Sequence, residues 1–483
     1  MVIDALKYQI LQQFGFVPTE EQGQALDAFA RFLTDRDPDA VMILRGSAGT
    51  GKTSLSGAIV RTLKAIRQKV MLLAPTGRAA KVFSLNSGCP AYTIHRRIYR
   101  EKSFAGVDGQ FNLNDNLFTD TLFMVDEASM ISNLGFGGGN FGSGCLLDDL
   151  VRFVYQGHND RLMLIGDKAQ LPPVGEEESP ALNRMMLEGY GLKVYECDLN
   201  EVLRQSQESG ILYNATVIRQ MITHDDITQL PLIRFKGFAD IVMMPGNELV
   251  ESLANSYYRV GWDETMVITR SNKRANIYNN GIRNMVLDRE EELSCGDMLM
   301  IVKNNYFWTE KERNEAKEAL NAIPPFLANG DRAKVLRVSR HMELYGFRFA
   351  TLLLQFPDYD NYEMSVTALL DTLQSEAPAL THEQQEQLFH GVEEDYQDVP
   401  LKADRMKAIR GDQYFNALQV KYAYAITCHK AQGGQWEHVY VDQGYMTDDM
   451  LTPDYIHWLY TAFTRAKGKL FLVNWPKTQT EQA

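Results

Sequence analysis

The chain has 483 residues, a length that corresponds to about three domains. Hydrophobic residues make up 45% of it and charged residues 23%, as is typical of globular proteins. No apolar stretch approaches the length of about 18 residues that a membrane helix needs, and the first residues do not resemble a secretory signal. The five cysteines are far apart and form no Cys-x-x-Cys pair, which argues against a disulfide framework and a zinc site. We therefore expect a cytoplasmic protein with no membrane partner.

The net charge of −13 argues against a protein that coats nucleic acid by bulk electrostatic attraction. It is compatible with a protein that holds one strand in a local groove. Such a groove needs only a few well-placed donors and some stacking surface.

Short apolar runs alternate with helical patterns along the chain, and this alternation predicts parallel sheets with crossover helices. The first set of runs lies at residues 41–44, 70–74, 122–125 and 162–165. A second set lies at residues 266–270, 422–426, 439–441 and 470–473. Only the first set is followed by a phosphate-binding loop. We therefore predict two similar α/β halves, one of which binds a nucleotide.

The phosphate-binding loop follows the first apolar run and precedes a helical pattern. Its glycines let backbone N–H groups close around phosphate oxygens, and the helix N-terminus adds partial positive charge. The lysine at its end can reach the β- and γ-phosphates, and the threonine can ligate magnesium. The loop consists of Gly46, Ser47, Ala48, Gly49, Thr50, Gly51, Lys52 and Thr53.

Two acidic residues, Asp126 and Glu127, follow the apolar run 122–125. In a phosphate-loop enzyme, an Asp at this place binds magnesium. The adjacent Glu can orient and deprotonate the attacking water as a general base. The pair therefore predicts nucleotide hydrolysis as well as binding.

Three further residues are candidates for contact with the γ-phosphate. Gln170 lies in a Gly-Asp turn with two prolines, at residues 166–175, and can sense the γ-phosphate. Arg204 and Arg465 are candidate cationic donors to the charge on that phosphate, and an arginine finger accelerates phosphoryl transfer by orders of magnitude. We include all three in the predicted catalytic site.

Two segments interrupt the α/β plan. Residues 96–116 combine aromatic residues with turn signals, which predicts a projecting hairpin. Residues 306–416 contain β-like stretches at 333–338 and 348–355, and we interpret them as a small β-barrel with a helical excursion. Within that insert, residues 375–398 carry seven acidic residues and no Lys or Arg, as a solvated helical face would. Residues 135–144 are rich in glycine, as is typical of a flexible loop.

The motifs, taken in order, resemble those of superfamily 1, group B helicases, in the RecD-like and Dda-like branch. The resemblance covers residues 19–466, and no single motif carries it alone. The motifs are Thr19–Gln22, the phosphate loop, and the segments at residues 74–80, 93–95, 126–129, 166–175, 203–205, 269–272, 427–433 and 460–466.

This resemblance implies two RecA-like domains with parallel sheets. The first would span residues 1–230 with the hairpin at about 96–116, and the second residues 231–305 with 417–483. The SH3-like barrel would be the insert at 306–416. The resemblance also implies 5′-to-3′ movement along single-stranded DNA and action at duplex junctions. We expect a monomer of the bacterial nucleoid that works with repair or replication proteins.

The resemblance assigns residue roles as well. Gln22 would recognise the adenine of ATP, and Lys52, Thr53, Asp126, Glu127, Gln170, Arg204 and Arg465 would surround its phosphates and Mg2+. Gln435 stands where some relatives carry a Glu that binds the ribose, and its amide oxygen can accept the same bond. The residues that would contact DNA are Thr76, Arg78, Thr93, His95, Pro172, Thr427, His429 and Gln432.

Two other functions compete with a DNA helicase. The acidic insert is compatible with a nucleotide-dependent switch that binds DNA or a partner without unwinding, and such a switch would show no stimulation of its ATPase activity by single-stranded DNA. An RNA-directed motor would respond to RNA instead, since the 2′-hydroxyl distinguishes the two polymers. A metabolite kinase would not need the second half of the chain.

Overall fold

The computed structural model describes residues 2–104, 109–135, 142–201, 208–224, 227–315, 323–324 and 326–481. The chain forms two compact units. The first comprises Met1–Met244 and Ala431–Ala483, and the second comprises Pro245–Lys430. In the part of the chain that the structure describes, no helix combines the length and the apolar character that crossing a membrane requires.

The helices in these ranges are mostly short and amphipathic. Their bounds are α1 Val2–Phe14, α2 Glu20–Thr34, α3 Lys52–Ala65, α4 Gly77–Ser87, α5 Ile94–Ile98, α6 Leu146–Tyr155, α7 Arg184–Gly189, α8 Gly210–Thr223, α9 Leu249–Arg259, α10 Asn272–Gly281, α11 Phe307–Glu315, α12 His382–Asp395, α13 Lys402–Arg410, α14 Cys428–Ala431 and α15 Pro453–Phe463.

The strands form a large parallel sheet, a second parallel set, a hairpin and a barrel. Their bounds are β1 Ala40–Gly46, β2 Lys69–Ala74, β3 Ala91–Thr93, β4 Tyr99–Phe104, β5 Gly109–Leu113, β6 Thr121–Val125, β7 Arg161–Gly166, β8 Lys193–Leu199, β9 Ile241–Met244, β10 Thr265–Thr269, β11 Met298–Ile301, β12 Arg332–Leu344, β13 Phe347–Phe356, β14 Tyr362–Leu369, β15 Leu418–Tyr422, β16 Ala425–Thr427, β17 Trp436–Asp442 and β18 Ala466–Val473.

The large sheet of the first unit has the strand order β3-β2-β6-β7-β1-β8, and its strands are parallel. One hydrophobic cluster packs α1, α2 and α3 against it and includes Ile10, Phe29 and Leu63. Another packs α5 and α6 against it and includes Ile98 and Phe153. Because both faces are covered, the central strands are continuous apolar runs rather than alternating ones. The predicted first α/β half is confirmed.

Parallel strand pairs outside the large sheet occur in each of the two units. In the first unit, β18 pairs in parallel with β17 and with β9. In the second unit, β10 pairs in parallel with β16. The predicted fold class, with two RecA-like parallel sheets, is therefore confirmed.

The apolar run at residues 422–426, predicted as one strand, is divided between two elements. It ends the barrel strand β15 at Tyr422 and begins β16 at Ala425. The side-chain oxygen of Asn279 accepts hydrogen bonds from the amides of Tyr424 and Ala425, at 3.0 and 2.8 Å. A distant asparagine thus stabilises the break, and the local sequence does not indicate it.

The hairpin predicted at residues 96–116 is present in the first unit. Strands β4 and β5 pair antiparallel, with Tyr99 opposite Leu113. The turn between them, at residues 105–108, lies outside the described residues.

The second unit contains a closed five-stranded barrel, β11-β12-β13-β14-β15. Strands β12 and β13 contain the predicted β stretches and turn at Tyr345 and Gly346, which both have positive φ. Helices α12 and α13 pack on the barrel through a core that includes Phe349, Leu388 and Ile409. The predicted barrel with a helical excursion is confirmed, although its strands β11 and β15 lie outside the range 306–416.

Candidate functional site

The phosphate loop connects β1 to α3 in the first unit. Gly49 and Gly51 have φ values of 79° and 77°, a region that favours glycine. The hydroxyl of Thr50 donates to the carbonyl of Ser47 at 2.9 Å and tightens the loop. The Lys52 ammonium donates to the carbonyl of Gly46 at 3.2 Å, so its side chain folds back across the loop.

Gln22 supports this loop from the N-terminus of α2. It completes a capping box with Thr19 and donates from Nε2 to the carbonyl of Thr50 at 2.9 Å. Its side chain is 1% exposed. The structure therefore places Gln22 against the backbone of the phosphate loop, and its predicted contact with adenine stays a prediction.

Asp126 and Glu127 follow β6. The Asp126 carboxylate accepts the Glu127 amide at 2.9 Å. Burial, reinforced by the neighbouring Glu127 charge, raises the pKa of Asp126 to about 6, and the Lys52 ammonium opposes this rise. The Oε2 atom of Glu127 is buried and accepts no hydrogen bond from a residue that the structure describes.

Asp167 and Gln170 lie in the loop that follows β7. Asp167 Oδ1 accepts the amide of Ala169 at 3.0 Å. Burial raises the pKa of Asp167, against the opposing effect of Lys52. Gln170 is 5% exposed, and its Oε1 atom has no donor among the described residues. The loop therefore carries a second buried carboxyl group and an unoccupied acceptor.

Helix α15 approaches the same loops. The Tyr460 hydroxyl donates to Asp167 Oδ2 at 2.7 Å and accepts the Ala48 amide at 3.0 Å. Arg465, just after the helix, is 3% exposed. Its guanidinium donates to the carbonyl of Gly434 at 3.1 Å and to Thr464 Oγ1 at 3.1 Å.

A cavity of about 390 Å³ lies between these elements of the first unit, within the size range of small-molecule sites. Lys467 and the start of α8, at Ser209 and Ile211, also line it. Predicted residues that line it are Ser47, Ala48, Gly49, Gly51, Lys52, Thr53, Asp126, Glu127, Gln170, Gln435 and Arg465. Gly46, Gln22 and Thr50 form or brace the loop without lining the cavity. Arg204 lies outside the described residues.

The residues present fit a nucleoside triphosphate with magnesium. Lys52 supplies a positive charge beside the carboxyl groups of Asp126 and Asp167. Thr53 and Asp126 offer oxygen ligands, which magnesium prefers. The unoccupied acceptors on Glu127 and Gln170 suit a water molecule held opposite the terminal phosphate.

Two predicted DNA contacts, Thr76 and Thr93, lie at the ends of β2 and β3. Their hydroxyl oxygens accept the amides of Ala79 and Arg96, at 3.2 and 3.3 Å, and cap the following helices. A hydroxyl that accepts in this way can still donate its own hydrogen to a phosphate. Gly433 packs here as well, since an added Cβ would lie 3.2 Å from Thr76 Oγ1.

The strand order places these groups side by side. In the order β3-β2-β6-β7-β1, the strands end at or just before Thr93, Thr76, Asp126, Asp167 and the phosphate loop. Because parallel strands end at one edge of the sheet, the candidate DNA contacts lie beside the candidate nucleotide contacts.

His95 and Arg78 follow the capping threonines. Burial lowers the pKa of His95 to about 4, so its imidazole is neutral at physiological pH and offers a hydrogen bond rather than a charge. Arg78 Nη2 donates to the carbonyl of Gln435 at 2.9 Å. Arg78 thus connects the predicted DNA contacts to the edge of the cavity.

Four predicted DNA contacts lie elsewhere. Gln432 is 7% exposed and donates to the carbonyl of Leu171 at 2.7 Å. Pro172 is buried and lines a neighbouring cavity of about 520 Å³, together with Gly46. In the second unit, Thr427 ends β16 and is half-buried, whereas His429 is exposed on α14. Their DNA contacts stay predictions.

Sequence reasoning assigned no role to three residues of this site. Asp167 and Tyr460 occur within recognised motifs, but only the fold shows that they share a hydrogen bond. Arg219, on α8, donates from Nη1 to the Ser47 hydroxyl and from Nη2 to the carbonyl of Asn200 at 3.2 Å. No local signal identifies Arg219, because it is one arginine on an otherwise ordinary helix.

Two protein families match the chain. A family described as an AAA domain matches residues 19–228, and one described as a UvrD-like helicase C-terminal domain matches residues 422–473. The first match contains the phosphate loop and the residues after β2, β6 and β7. The second contains Gln432, Gln435 and Arg465.

Three curated proteins are similar to parts or most of the chain. An uncharacterized protein of Methanocaldococcus jannaschii is 34% identical over 171 residues, which cover 33% of this chain and 14% of that protein. The ATP-dependent RecD2 DNA helicase of Deinococcus radiodurans is 30% identical over 157 residues, which cover 32% and 18%. The matches thus span less than a fifth of the length of these two relatives. An uncharacterized protein of Acanthamoeba polyphaga mimivirus is 21% identical over 495 residues, which cover 89% and 94%.

Solved structures of Pif1 helicases are similar along the chain. The Pif1 helicase from Bacteroides in complex with ADP-AlF3 and ssDNA is 14% identical, covers 97% of this chain and 95% of its own, and has a TM-score of 0.46. The Pif1 helicase from Candida albicans is 17% identical, with 97% of both chains covered and a TM-score of 0.40.

Together with the ordered motifs, the two family matches and the RecD2 similarity show that this chain belongs to the superfamily 1, group B helicases, in the RecD-like branch.

Proposed function

We propose that this protein is an ATP-driven motor that moves 5′ to 3′ along single-stranded DNA and separates the strands of a duplex. The observation that carries the proposal is the shared edge of the large sheet. There, the loops with Thr76 and Thr93 lie beside the loops with Asp126, Asp167 and Lys52. Changes at the nucleotide on one side of this edge would therefore alter the contacts of a DNA strand bound on the other side.

Hydrolysis would use the groups that line the cavity. Glu127 would orient and deprotonate the attacking water, and Gln170 would hold that water or the γ-phosphate. Lys52 and Arg465 would neutralise the charge that spreads over the transferred phosphoryl group. Thr53 and Asp126 would hold Mg2+, which when bound neutralises charge on the β- and γ-phosphates.

The DNA contacts would be made mainly to phosphates. The hydroxyls of Thr76 and Thr93 and the guanidinium of Arg78 can all donate hydrogen bonds to phosphate oxygens. Contacts to phosphates carry no sequence information, so binding through them would tolerate any sequence. The polarity, the monomeric state and a role in repair, recombination or replication at the nucleoid are what the family resemblance implies, and they form part of the same proposal.

The test is strand separation on two duplexes that differ only in a 5′ or a 3′ single-stranded tail, with ATP and magnesium. We expect unwinding of the 5′-tailed duplex alone. Lys52→Ala should abolish both unwinding and hydrolysis. Lys64→Ala, an exposed lysine at the other end of α3, is the matched control and should retain both.

Each alternative outcome excludes a part of the proposal. Unwinding from the 3′ tail would refute the polarity and keep the motor. DNA-stimulated hydrolysis without unwinding of either duplex would favour a translocase or remodeller that does not unwind, whereas hydrolysis without stimulation by single-stranded DNA would favour a nucleotide-dependent switch. Greater stimulation by RNA than by a matched DNA oligonucleotide would indicate an RNA motor.

A further inference from the structure

We propose that Tyr460 is a positioning residue of the nucleotide site, whose hydroxyl holds the phosphate loop, the Asp167 loop and helix α15 in one arrangement. This inference rests on the proposed ATPase function. It adds a role for a side chain that would not itself touch the reacting atoms.

The hydroxyl of Tyr460 makes two hydrogen bonds with fixed direction. An amide can only donate, so the Ala48 N–H, 3.0 Å away, uses the oxygen of Tyr460 as acceptor. The hydroxyl hydrogen is then directed to Asp167 Oδ2, at 2.7 Å. The side chain is 1% exposed, and burial raises the pKa of Tyr460 well above its usual value, so the hydrogen stays in place at working pH.

Two neighbours on the same face of α15 bind the same loop. Thr461 Oγ1 accepts the Leu171 amide at 2.7 Å, and His457 Nδ1 lies 2.9 Å from the carbonyl of Ala169. Residues three and four apart share one face of a helix, so these contacts reinforce that of Tyr460. The helix is thereby fixed along the loop residues on either side of Gln170.

This arrangement connects three groups that hydrolysis needs together. Gln170 lies within the bound loop, Lys52 lies beside Asp167, and Arg465 follows Tyr460 by five residues. Gln170 and Arg465 would act on the terminal phosphate during its transfer. Loss of the hydroxyl should therefore lower the rate of that step more than the binding of ATP.

The test compares Tyr460→Phe with Tyr455→Phe. Tyr455 lies on the same helix, is 2% exposed, and donates its hydroxyl hydrogen to Gln443 Oε1, away from the cavity. Both substitutions remove one buried hydroxyl and keep the ring, so they should lower the thermal midpoint by similar amounts. We expect kcat for ATP to fall at least about tenfold in Tyr460→Phe, with KM changed less than about threefold. Tyr455→Phe should keep both constants near the wild-type values.

A double-variant cycle with Asp167→Asn separates positioning from general loss of stability. If the two side chains act through their shared bond, Tyr460→Phe should lower kcat little further in the Asp167→Asn background. A kcat of Tyr460→Phe within twofold of Tyr455→Phe would overturn the inference and leave the proposed function standing. So would independent, multiplicative losses of kcat in the cycle. Wild-type protein without ATP turnover would overturn the proposed function and this inference with it.

Discussion

The guanidinium of Arg78 lies over the ring of Trp436, 4.3 Å from the ring centroid. Its Nη2 also donates to the carbonyl of Gln435, which lines the nucleotide cavity. A cation stacked on an aromatic ring is attracted by the ring's negative face and held in a defined plane. A DNA phosphate bound by Arg78 would therefore lie close to the end of the nucleotide site.

We expect Arg78→Ala to weaken binding of single-stranded DNA and to lower the slope of log affinity against log salt by about one, as loss of one phosphate contact does. Fluorescence anisotropy with a labelled oligonucleotide at several salt concentrations measures both. Arg152→Ala removes an exposed arginine paired with Asp148 on α6 and is the matched control. An unchanged salt slope in Arg78→Ala would show that this guanidinium is only a packing element.

Glu127 and Asp126 are adjacent, but we expect substitutions at the two positions to impair different steps of ATP hydrolysis. Glu127→Gln keeps the shape of the side chain and removes the proposed general base, so hydrolysis should fall at least about 100-fold while ATP still binds. Asp126→Asn should instead weaken magnesium binding and raise the magnesium concentration needed for half-maximal hydrolysis, since it removes the charge of a proposed magnesium ligand. Single-turnover hydrolysis and binding of a fluorescent ATP analogue distinguish the two variants.

The control for both carboxylate variants is Glu188→Gln. Glu188 is an exposed residue of α7 whose carboxylate pairs with Arg184. It should leave hydrolysis unchanged. Glu127→Gln with more than about a tenth of wild-type turnover would assign the base to another residue.

The elements that the sequence predicted correctly are those fixed by neighbouring residues. The phosphate loop needs residues with positive φ at positions 49 and 51, and the glycines at these two positions in the sequence indicate this directly. The strands β1 and β7 are buried along their whole length, so they are continuous apolar runs. The position of Asp126 at the end of a buried strand was predictable because it directly follows such a run.

The features that the sequence did not indicate depend on contacts between distant residues. The Tyr460 hydroxyl donates a hydrogen bond to Asp167, which lies 293 positions away in the sequence. Asn279 divides the apolar run at 422–426 from 145 positions away. Periodicity and propensity describe neighbours along the chain, so they contain no information on these pairs.

Arg219 is the clearest residue of this second kind that can be tested. Its guanidinium bonds the Ser47 hydroxyl and the carbonyl of Asn200 and so braces the phosphate loop from α8. A hydrogen bond from a charged group contributes about 1.5–3 kcal/mol, and about 1.4 kcal/mol is a tenfold change in affinity. We expect Arg219→Ala to raise the dissociation constant for ATP about tenfold.

Nucleotide titration monitored by fluorescence measures this change. Gln220→Ala, at the exposed neighbouring position on α8, should bind ATP as the wild type does. If Arg219→Ala leaves the affinity within twofold, then the contact with Ser47 does not contribute to nucleotide binding.

The buried carboxyl group of Asp331, in the second unit, should make the stability of the protein depend on pH. It is 1% exposed and accepts hydrogen bonds at Oδ2 from the Ala328 amide and the Tyr359 hydroxyl, both at 2.7 Å. Burial raises the pKa of Asp331 to about 7 in the folded protein, above its ordinary value of 3.8. Between these two pKa values the folded state holds a proton that the unfolded state has lost. The free energy of unfolding therefore falls as pH rises through this window and levels off above about pH 7.

We expect Asp331→Asn to remove this decline, because the amide keeps an acceptor oxygen and cannot ionise. The thermal midpoint of the variant relative to the wild type should rise by at least about 3 °C between pH 5 and pH 8. Asp360→Asn is the matched control, since this exposed residue has a φ of 52°, which Asn adopts readily. Differential scanning calorimetry across the pH range measures all three proteins. Parallel profiles for the wild type and Asp331→Asn would mean that Asp331 titrates near its ordinary pKa, because a buried carboxyl group with a raised pKa must lose its proton at a cost in stability that the amide does not incur.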